Sequence, residues 1–212
     1  MYNNKSISVV MATYNEKRSI KKTIEDFFAS GFVDEVIIVN NNAQAGTDEE
    51  VKKTRAKIIY EKKQGYGHAF QTGIKNTKGD YVILCEPDGS YAGSDIEKFL
   101  LYAKDGFDVV FGSRTGQNTL LSASDMSVWR KWANVLEAKS IEVLFNTNAL
   151  SDVGCTYKLF TRSSINKFAK LWKKTNSLFA TELLLLTMLL MTVCNKLFIW
   201  EFIPLSNVLS AK

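Results

Sequence analysis

Tyr81-Val82-Ile83-Leu84-Cys85-Glu86-Pro87-Asp88-Gly89-Ser90-Tyr91 runs from a hydrophobic strand into a turn that carries two carboxylates one residue apart. In extended chain, residues i and i+2 project to the same side, so Glu86 and Asp88 can both face one hard cation or one sugar hydroxyl. Pro87 fixes φ and removes a backbone donor, while Gly89 lets the chain turn sharply with little bulk above the pair. The strand therefore ends in an open acidic mouth, a geometry suited to a metal-bridged diphosphate. Taken alone, an acid-x-acid pair is more often a solvated turn, so its surroundings decide the reading.

Around this stretch, apolar runs rich in β-branched residues alternate with segments of helical period. Ile7 to Met11, Glu35 to Val39, Lys57 to Tyr60, Tyr81 to Cys85 and Asp108 to Phe111 read as buried strands. Between them, Ile20, Ile24, Phe27 and Phe28 mark one face of a first helix, and Thr47-Asp48-Glu49-Glu50 has the form of a capping box opening a second. A third helix spans about Gly67 to Asn76, and Ser94-Asp95-Ile96-Glu97 reads as another capping box close to the mouth. The alternation implies an α/β fold, a mostly parallel central sheet with helices on both faces, whose ligand crevice lies outside the carboxyl ends of the strands. Beyond Thr115 the rhythm loosens. A polar stretch from Gly116 to Asp125 precedes a long amphipathic helix from about Val128 to Phe145, a short strand near Tyr157 to Phe160, helical segments, and a last strand near Lys196 to Ile203. Without repeats, low-complexity tracts or a Gly/Pro linker, residues 1–212 read as one domain with a C-terminal elaboration.

Bulk properties narrow the classes. At 212 residues, with 46% hydrophobic and 23% charged, the chain can bury a sizeable core and is not disordered. Its formal net charge of +5 is a mild excess that suits anionic ligands such as nucleotides, phosphates or acidic headgroups; no nucleic-acid partner is expected. Cys85, Cys155 and Cys194 are odd in number and set among apolar or small residues, which suits reduced thiols and a cytoplasmic location. Leu183 to Val193 is nearly all apolar, yet about half the roughly 20 residues of a membrane span, and reads as a buried helix. Trp129, Trp132, Leu136 and Val143 form an apolar stripe at helical spacing; such stripes are usually core, with peripheral membrane contact as the alternative.

The strand ends collect the polar residues. Thr13-Tyr14-Asn15-Glu16 follows the first strand, Asn40-Asn41-Asn42 the second, Gln64-Gly65-Tyr66-Gly67 the third, Glu86-Pro87-Asp88 the fourth and Gly112-Ser113-Arg114 the fifth. Together they form the inventory that would hold a base, a ribose and a metal-bridged diphosphate, although loop chemistry explains each one singly.

These residues also carry a resemblance. Val9-Val10-Met11-Ala12-Thr13-Tyr14-Asn15-Glu16, Gly65-Tyr66-Gly67-His68-Ala69, Gly79-Asp80-Tyr81, Glu86-Pro87-Asp88-Gly89 and Gly112-Ser113-Arg114 look like glycosyltransferase family 2 with the GT-A fold. Asp152 to Leu159 and Glu201-Phe202-Ile203-Pro204 are similar to later motifs of its dolichol-phosphate mannosyltransferase branch. The resemblance implies an inverting transfer of a sugar from a nucleotide-diphosphate donor to a polyprenyl-phosphate or saccharide acceptor, with Mg²⁺ or Mn²⁺ bridging protein and diphosphate. By the same matching, Asp88 and Glu86 would bind metal. Thr13, Tyr14, Asn15, Glu16, Asn40, Asn42, Gly65 and Gly67 would line the donor, residues 1–115 forming the nucleotide-sugar part and 116–212 the acceptor side. Arg114, Arg130 and Lys158 would be cations near the acceptor phosphate and the leaving diphosphate.

A lipid phosphate is already anionic and needs cations to position it, whereas a sugar hydroxyl needs a general base. Asp152 and Glu182 are the candidate bases; their bland readings are a loop anchor and an ionic partner at a helix start. His68 is better explained by the glycine loop than by catalysis. The chain departs from the family pattern at Ala12 or Thr13, where proline is usual, at Asn40, where an acid is usual, and after Pro204, where an Arg-and-Gly-containing tail is expected. These departures keep open a catalytically weak sugar-nucleotide-binding or regulatory protein. A nucleotidyltransferase would call for a basic glycine-rich loop after the first strand, which Thr13-Tyr14-Asn15-Glu16 does not offer.

Overall fold

Along β1 (Ile7–Thr13) and β2 (Glu35–Asn40) successive side chains disappear into opposite cores: Val9, Met11, Val36 and Ile38 on one face, Val10, Ile37 and Val39 on the other. Strands buried on both faces read as unbroken apolar runs, which is why these segments lack polar alternation. The computed structural model describes residues 2–114, 128–145, 152–173, 175–176, 178–194 and 200–205; of 128–131, 133–134, 190–194 and 200–204 it describes the backbone alone.

With β3 (Lys57–Tyr60), β4 (Tyr81–Cys85), β5 (Val109–Ser113), β6 (Lys158–Thr161) and β7 (Trp200–Pro204), the strands form one sheet in the order β3-β2-β1-β4-β6-β5-β7. Every pairing is parallel except those of β6, which runs antiparallel to both β4 and β5. The fifth strand of the chain therefore does not lie beside the fourth. The expected strand near Tyr157 to Phe160 is the one inserted between them.

Helices cover both faces. On one, α1 (Ile20–Ala29) presents Ile20, Ile24 and Phe27 to the sheet at the i, i+4, i+7 spacing read from the sequence, beside α2 (Thr47–Lys52) and α4 (Ile96–Lys104). On the other, α3 (Tyr66–Lys75) packs Phe70 and Ile74 with α5 (Val128–Phe145), α6 (Arg162–Phe168) and α7 (Phe179–Cys194).

Neither predicted capping box forms. Gly46, at φ 88°, is the N-cap of α2, and the Thr47 hydroxyl donates backward to the Gln44 carbonyl at 2.7 Å. Ser94 sits inside a 3₁₀ turn, Gly93–Asp95, which makes Asp95 the N-cap of α4, with no side-chain cap bond; Asp95 pairs instead with Lys98 at 2.7 Å. Three members of the α5 stripe are not core either: Ala138 and Ile141 face inward, whereas Trp132 is 68%, Leu136 70% and Val143 83% exposed, and the Trp129 side chain lies outside the described residues. In α7, Leu183, Leu184, Thr187 and Met188 are buried and Leu189 is not. No helix among the described residues is long and apolar enough to cross a membrane. Cys85 and Cys155 are buried free thiols. The polar stretch Gly116 to Asp125 and the tail from Ser206 lie outside the described residues.

Candidate functional site

Parallel β3, β2, β1 and β4 all end on one side of the sheet, with Thr13, Asn40 and Tyr60 in register across the first three. This edge is where an open α/β sheet binds ligands.

The acidic mouth follows β4. The Pro87 carbonyl accepts hydrogen bonds from Ser19 Oγ at 2.7 Å and Thr23 Oγ1 at 3.4 Å, fixing the turn to the start of α1. Asp88 is exposed and its Oδ1 accepts from the Ser90 amide at 2.8 Å, leaving Oδ2 toward solvent. Gly89 adopts φ 83°, a conformation a side chain would strain, so the turn depends on it. Glu86 lies mostly buried behind, its pKa raised by desolvation and by the nearby Asp88 charge, against the opposing pull of Arg114. The buried Tyr66 hydroxyl faces Glu86 and Thr156 without closing a hydrogen bond of good geometry to either.

Across β6 from the mouth, Arg114 leaves the end of β5. Its Nε and Nη2 donate to Asp152 Oδ2 and Oδ1 at 2.8 and 2.9 Å, and its amide donates to Oδ2 at 3.0 Å. Burial is the largest single influence and opposes the charge on Arg114, but the Asp152 hydrogen bonds together with the attraction of Asp152 and the neighbouring Tyr91 and Cys155 outweigh it, so its pKa rises. The Asp152 side chain is fully buried and its lone pairs are largely spoken for, which makes it an anchor for the guanidinium and a poor proton acceptor. Glu182 accepts from the Lys173 amide at 3.0 Å, also as a local anchor.

Lys158 departs furthest from its expected surroundings. Its side chain is 2% exposed, its Nζ donates to the Ala180 carbonyl at 3.2 Å and lies 5.5 Å from the Phe111 ring centroid. It borders a small cavity lined by Tyr66, Phe70, Thr156 and Leu183 among others. Desolvation lowers its pKa to about 8. Lysine is rarely buried so completely without a close carboxylate.

The loop after β1 is organised by Glu16, whose Oε2 accepts from Thr13 Oγ1 at 3.0 Å and from the amides of Tyr14 and Asn15 at 2.6 and 3.0 Å. Glu16 thus turns back onto its own loop, while Tyr14 projects outward, half exposed. The three asparagines after β2 divide their work. Asn40 accepts from the Ala43 amide at 2.8 Å and donates to Asp48 at 2.7 Å. Asn41 is buried, donating to the Glu61 and Lys63 carbonyls and accepting from the Gly65 amide. Asn42, at φ 60°, donates to Gln64 at 2.6 Å on the surface.

Gly65 has φ 149°, and a Cβ there would collide with the Thr175 carbonyl. That carbonyl takes the amides of Gly67 and His68 at 2.9 and 3.3 Å, so these two donors are engaged by the protein itself. The Arg130 side chain lies outside the described residues, although its backbone belongs to α5. The edge thus gathers Tyr14, Asn40, Glu86 and Asp88 from the donor list, with Arg114 beyond β6, while Lys158 is buried beneath. Sequence reasoning missed Ser19, Asp48 and Tyr60, and counted Asn41 among the strand-end polar residues without giving it a role of its own. Only the Asn41 and Asp48 positions offered a signal, as polar residues just past β2.

Among the described residues no three His, Cys, Asp or Glu side chains gather closely enough to hold a metal by themselves. Two neighbouring carboxylates still suit an octahedral cation whose other ligands are phosphate oxygens and water, and a cation there would relieve the repulsion that raises the pKa of Glu86.

Comparison with known proteins agrees with this architecture. Residues 8–168 match the family described as Glycosyl transferase family 2. Glycosyltransferase AglJ of Haloferax volcanii is 24% identical over 160 residues, 75% of this chain and 51% of that protein. The dolichyl-phosphate hexose transferase of the same organism is 32% identical over 115 residues, 53% of this chain and 50% of that protein. The chain spans about half the length of these curated relatives. The crystal structure of Mycobacterium tuberculosis glucosyl-3-phosphoglycerate synthase in complex with Mn²⁺, uridine diphosphate and phosphoglyceric acid superposes with a TM-score of 0.69 over 96% of this chain and 71% of that one, at 17% identity. That likeness identifies the GT-A fold.

Proposed function

Since the chain belongs to glycosyl transferase family 2, we propose that it is a metal-dependent inverting glycosyltransferase. It moves a sugar from a nucleotide diphosphate to a polyprenyl phosphate, as its relative named for dolichyl phosphate suggests. The observation that carries the reading is the exposed Asp88 carboxylate close enough to Glu86 to raise its pKa, with Glu86 also within the electrostatic reach of a rigidly held Arg114.

Asp88 and Glu86 would hold Mg²⁺ or Mn²⁺, which, when bound, supplies charge neutralisation to the diphosphate. Arg114 then stabilises negative charge on the leaving diphosphate or steadies the acceptor phosphate. Asp152 keeps its guanidinium from reorienting as that charge develops. The acceptor oxygen forms its bond to the anomeric carbon as the diphosphate leaves from the opposite face, which inverts the configuration. A phosphate acceptor needs no proton removed, and both candidate bases, Asp152 and Glu182, are already occupied as anchors. A saccharide acceptor is the less favoured reading for that reason.

Residues 1–115 carry the donor side and 116–212 the acceptor side in this proposal. The exposed face of α5, with Trp132, Leu136, Val143 and Leu144, supports contact with the bilayer that carries a lipid-linked acceptor.

A thermal-shift and calorimetric screen of uridine, guanosine and cytidine diphosphate sugars, with and without Mn²⁺, tests the assignment. One donor with Mn²⁺ raises the wild-type midpoint, and Asp88→Ala abolishes that rise at unchanged intrinsic stability, because an exposed carboxylate contributes little to the fold. A folded Asp88→Ala protein that binds donor and Mn²⁺ like wild type refutes the metal role. Donor binding without turnover on any acceptor favours the weakly catalytic binder instead.

A further inference from the structure

Between the ends of β2 and β3 three side chains form a run of hydrogen bonds centred on Asp48. Asn40 Nδ2 donates to Asp48 Oδ1 at 2.7 Å, the Tyr60 hydroxyl donates to Asp48 Oδ2 at 2.8 Å, and Asn40 Oδ1 accepts from the Ala43 amide at 2.8 Å. The Asn40 carbonyl faces its own loop and one amide hydrogen is spent on Asp48. Asn40 is therefore poorly placed to offer a ligand an acceptor. Asp48 is different. Each carboxylate oxygen has a second lone pair, and the residue is only half-buried. The hydrogen bond to Asp48 also raises the Tyr60 pKa, which holds the phenol as a donor. Tyr60 itself is 61% exposed, presenting a flat ring next to the carboxylate, and the half-exposed Tyr14 follows Thr13 at the far end of the row formed by Tyr60, Asn40 and Thr13. An acceptor-only group flanked by exposed rings recognises a planar heterocycle that carries an N–H on its edge.

We propose that Asp48, held by Asn40 and Tyr60, is the residue that selects the donor base, accepting the ring N–H of a uracil or guanine. This rests on the nucleotide-sugar reading above. Cytosine and adenine place a lone pair at the equivalent ring nitrogen, and a carboxylate repels it. Replacement of Asp48 by asparagine keeps the size and the bond from Tyr60, gives up the bond from Asn40 because only one oxygen remains, and adds an N–H donor, so it changes the preference as well as the strength.

Binding of uridine, guanosine, cytidine and adenosine diphosphates with Mn²⁺, measured by calorimetry on wild type and Asp48→Asn, reads this directly. The expected result is that wild type binds the uridine or guanosine ligand tightest. Asp48→Asn loses about tenfold or more on it while cytidine diphosphate binding holds or improves, the thermal midpoint of the free protein staying unchanged. An equal loss on all four, the signature of a ribose contact or a loosened loop, overturns the inference, as does unchanged binding. Wild type binding none of the four overturns the donor reading itself, and this inference with it; wild type binding one of them with an unaltered ratio in the variant overturns this inference alone.

Discussion

Lys158 holds a charge where the fold would be more stable without one, and the penalty can be calculated. Its pKa falls from 10.5 to about 8, with desolvation as the largest cause. At about 1.36 kcal/mol for each pH unit, the folded chain loses about 3 kcal/mol while the ammonium is charged in both states. The folded pKa lies below the unfolded one, so between about 8 and 10.5 the unfolded chain binds the proton that the folded chain has released, and stability rises with pH across that window. Below pH 8 the full penalty applies. Lys158→Met keeps a long unbranched chain among Phe111, Tyr66 and Phe70 while removing the charge. Denaturant unfolding at pH 7 is expected to find the variant more stable by about 1–3 kcal/mol, the lower figure allowing for the lost bond to the Ala180 carbonyl. By pH 10 the advantage shrinks to about 1 kcal/mol or less, because the wild-type lysine has by then become neutral. Parallel stability curves for the two proteins, or a variant less stable at every pH, would refute a costly buried ammonium. If the stabilised variant also loses turnover with a lipid-phosphate acceptor, the penalty is maintained for function.

Two further outcomes follow from the geometry. Asp152→Asn removes the negative charge from a pair whose carboxylate is fully buried and whose guanidinium is partly so, leaving Arg114 uncompensated; a loss of about 2 kcal/mol in unfolding free energy is expected, with Arg114→Met/Asp152→Leu recovering part of it, and equal stability of all three proteins would contradict the pairing. Trp132→Gln/Leu136→Gln removes exposed apolar surface, so cosedimentation with vesicles carrying anionic lipid should fall about tenfold at an unchanged thermal midpoint, and undiminished cosedimentation would remove α5 from the membrane.

The sequence revealed whatever depended on local pattern. Unbroken runs such as Glu35–Asn40 announced strands covered on both sides, and Ile20, Ile24 and Phe27 announced the face of α1. The carboxylate pair was legible as the polar end of a strand, but β4 stops at Cys85 and the turn buries most of Glu86 while exposing Asp88, which i, i+2 alternation in extended chain does not describe. Features set by distant partners were not legible. Three consecutive asparagines look alike in sequence, and only the approach of the β3–α3 loop turns Asn41 inward while Asn40 ties its own loop to Asp48 and Asn42 bonds Gln64 on the surface. Thr47 resembles an N-cap until Gly46, with its left-handed backbone, takes that place. The pairing of Arg114 with Asp152 spans thirty-eight residues, and no local signal announces it. An amphipathic stripe says that α5 has an apolar face; here small Ala138 lets the opposite side pack, which composition does not predict.

The antiparallel β6 has a bearing on dissection of the protein. It belongs to the later half of the chain yet is threaded between two strands of the earlier half, and β7 closes the far border of β5. A truncated piece ending near residue 115 would bare β4 along one margin and β5 along two, leaving long apolar ladders free to stick to other molecules. The proposed boundary between donor and acceptor sides is thus not a seam at which the polypeptide can be cut.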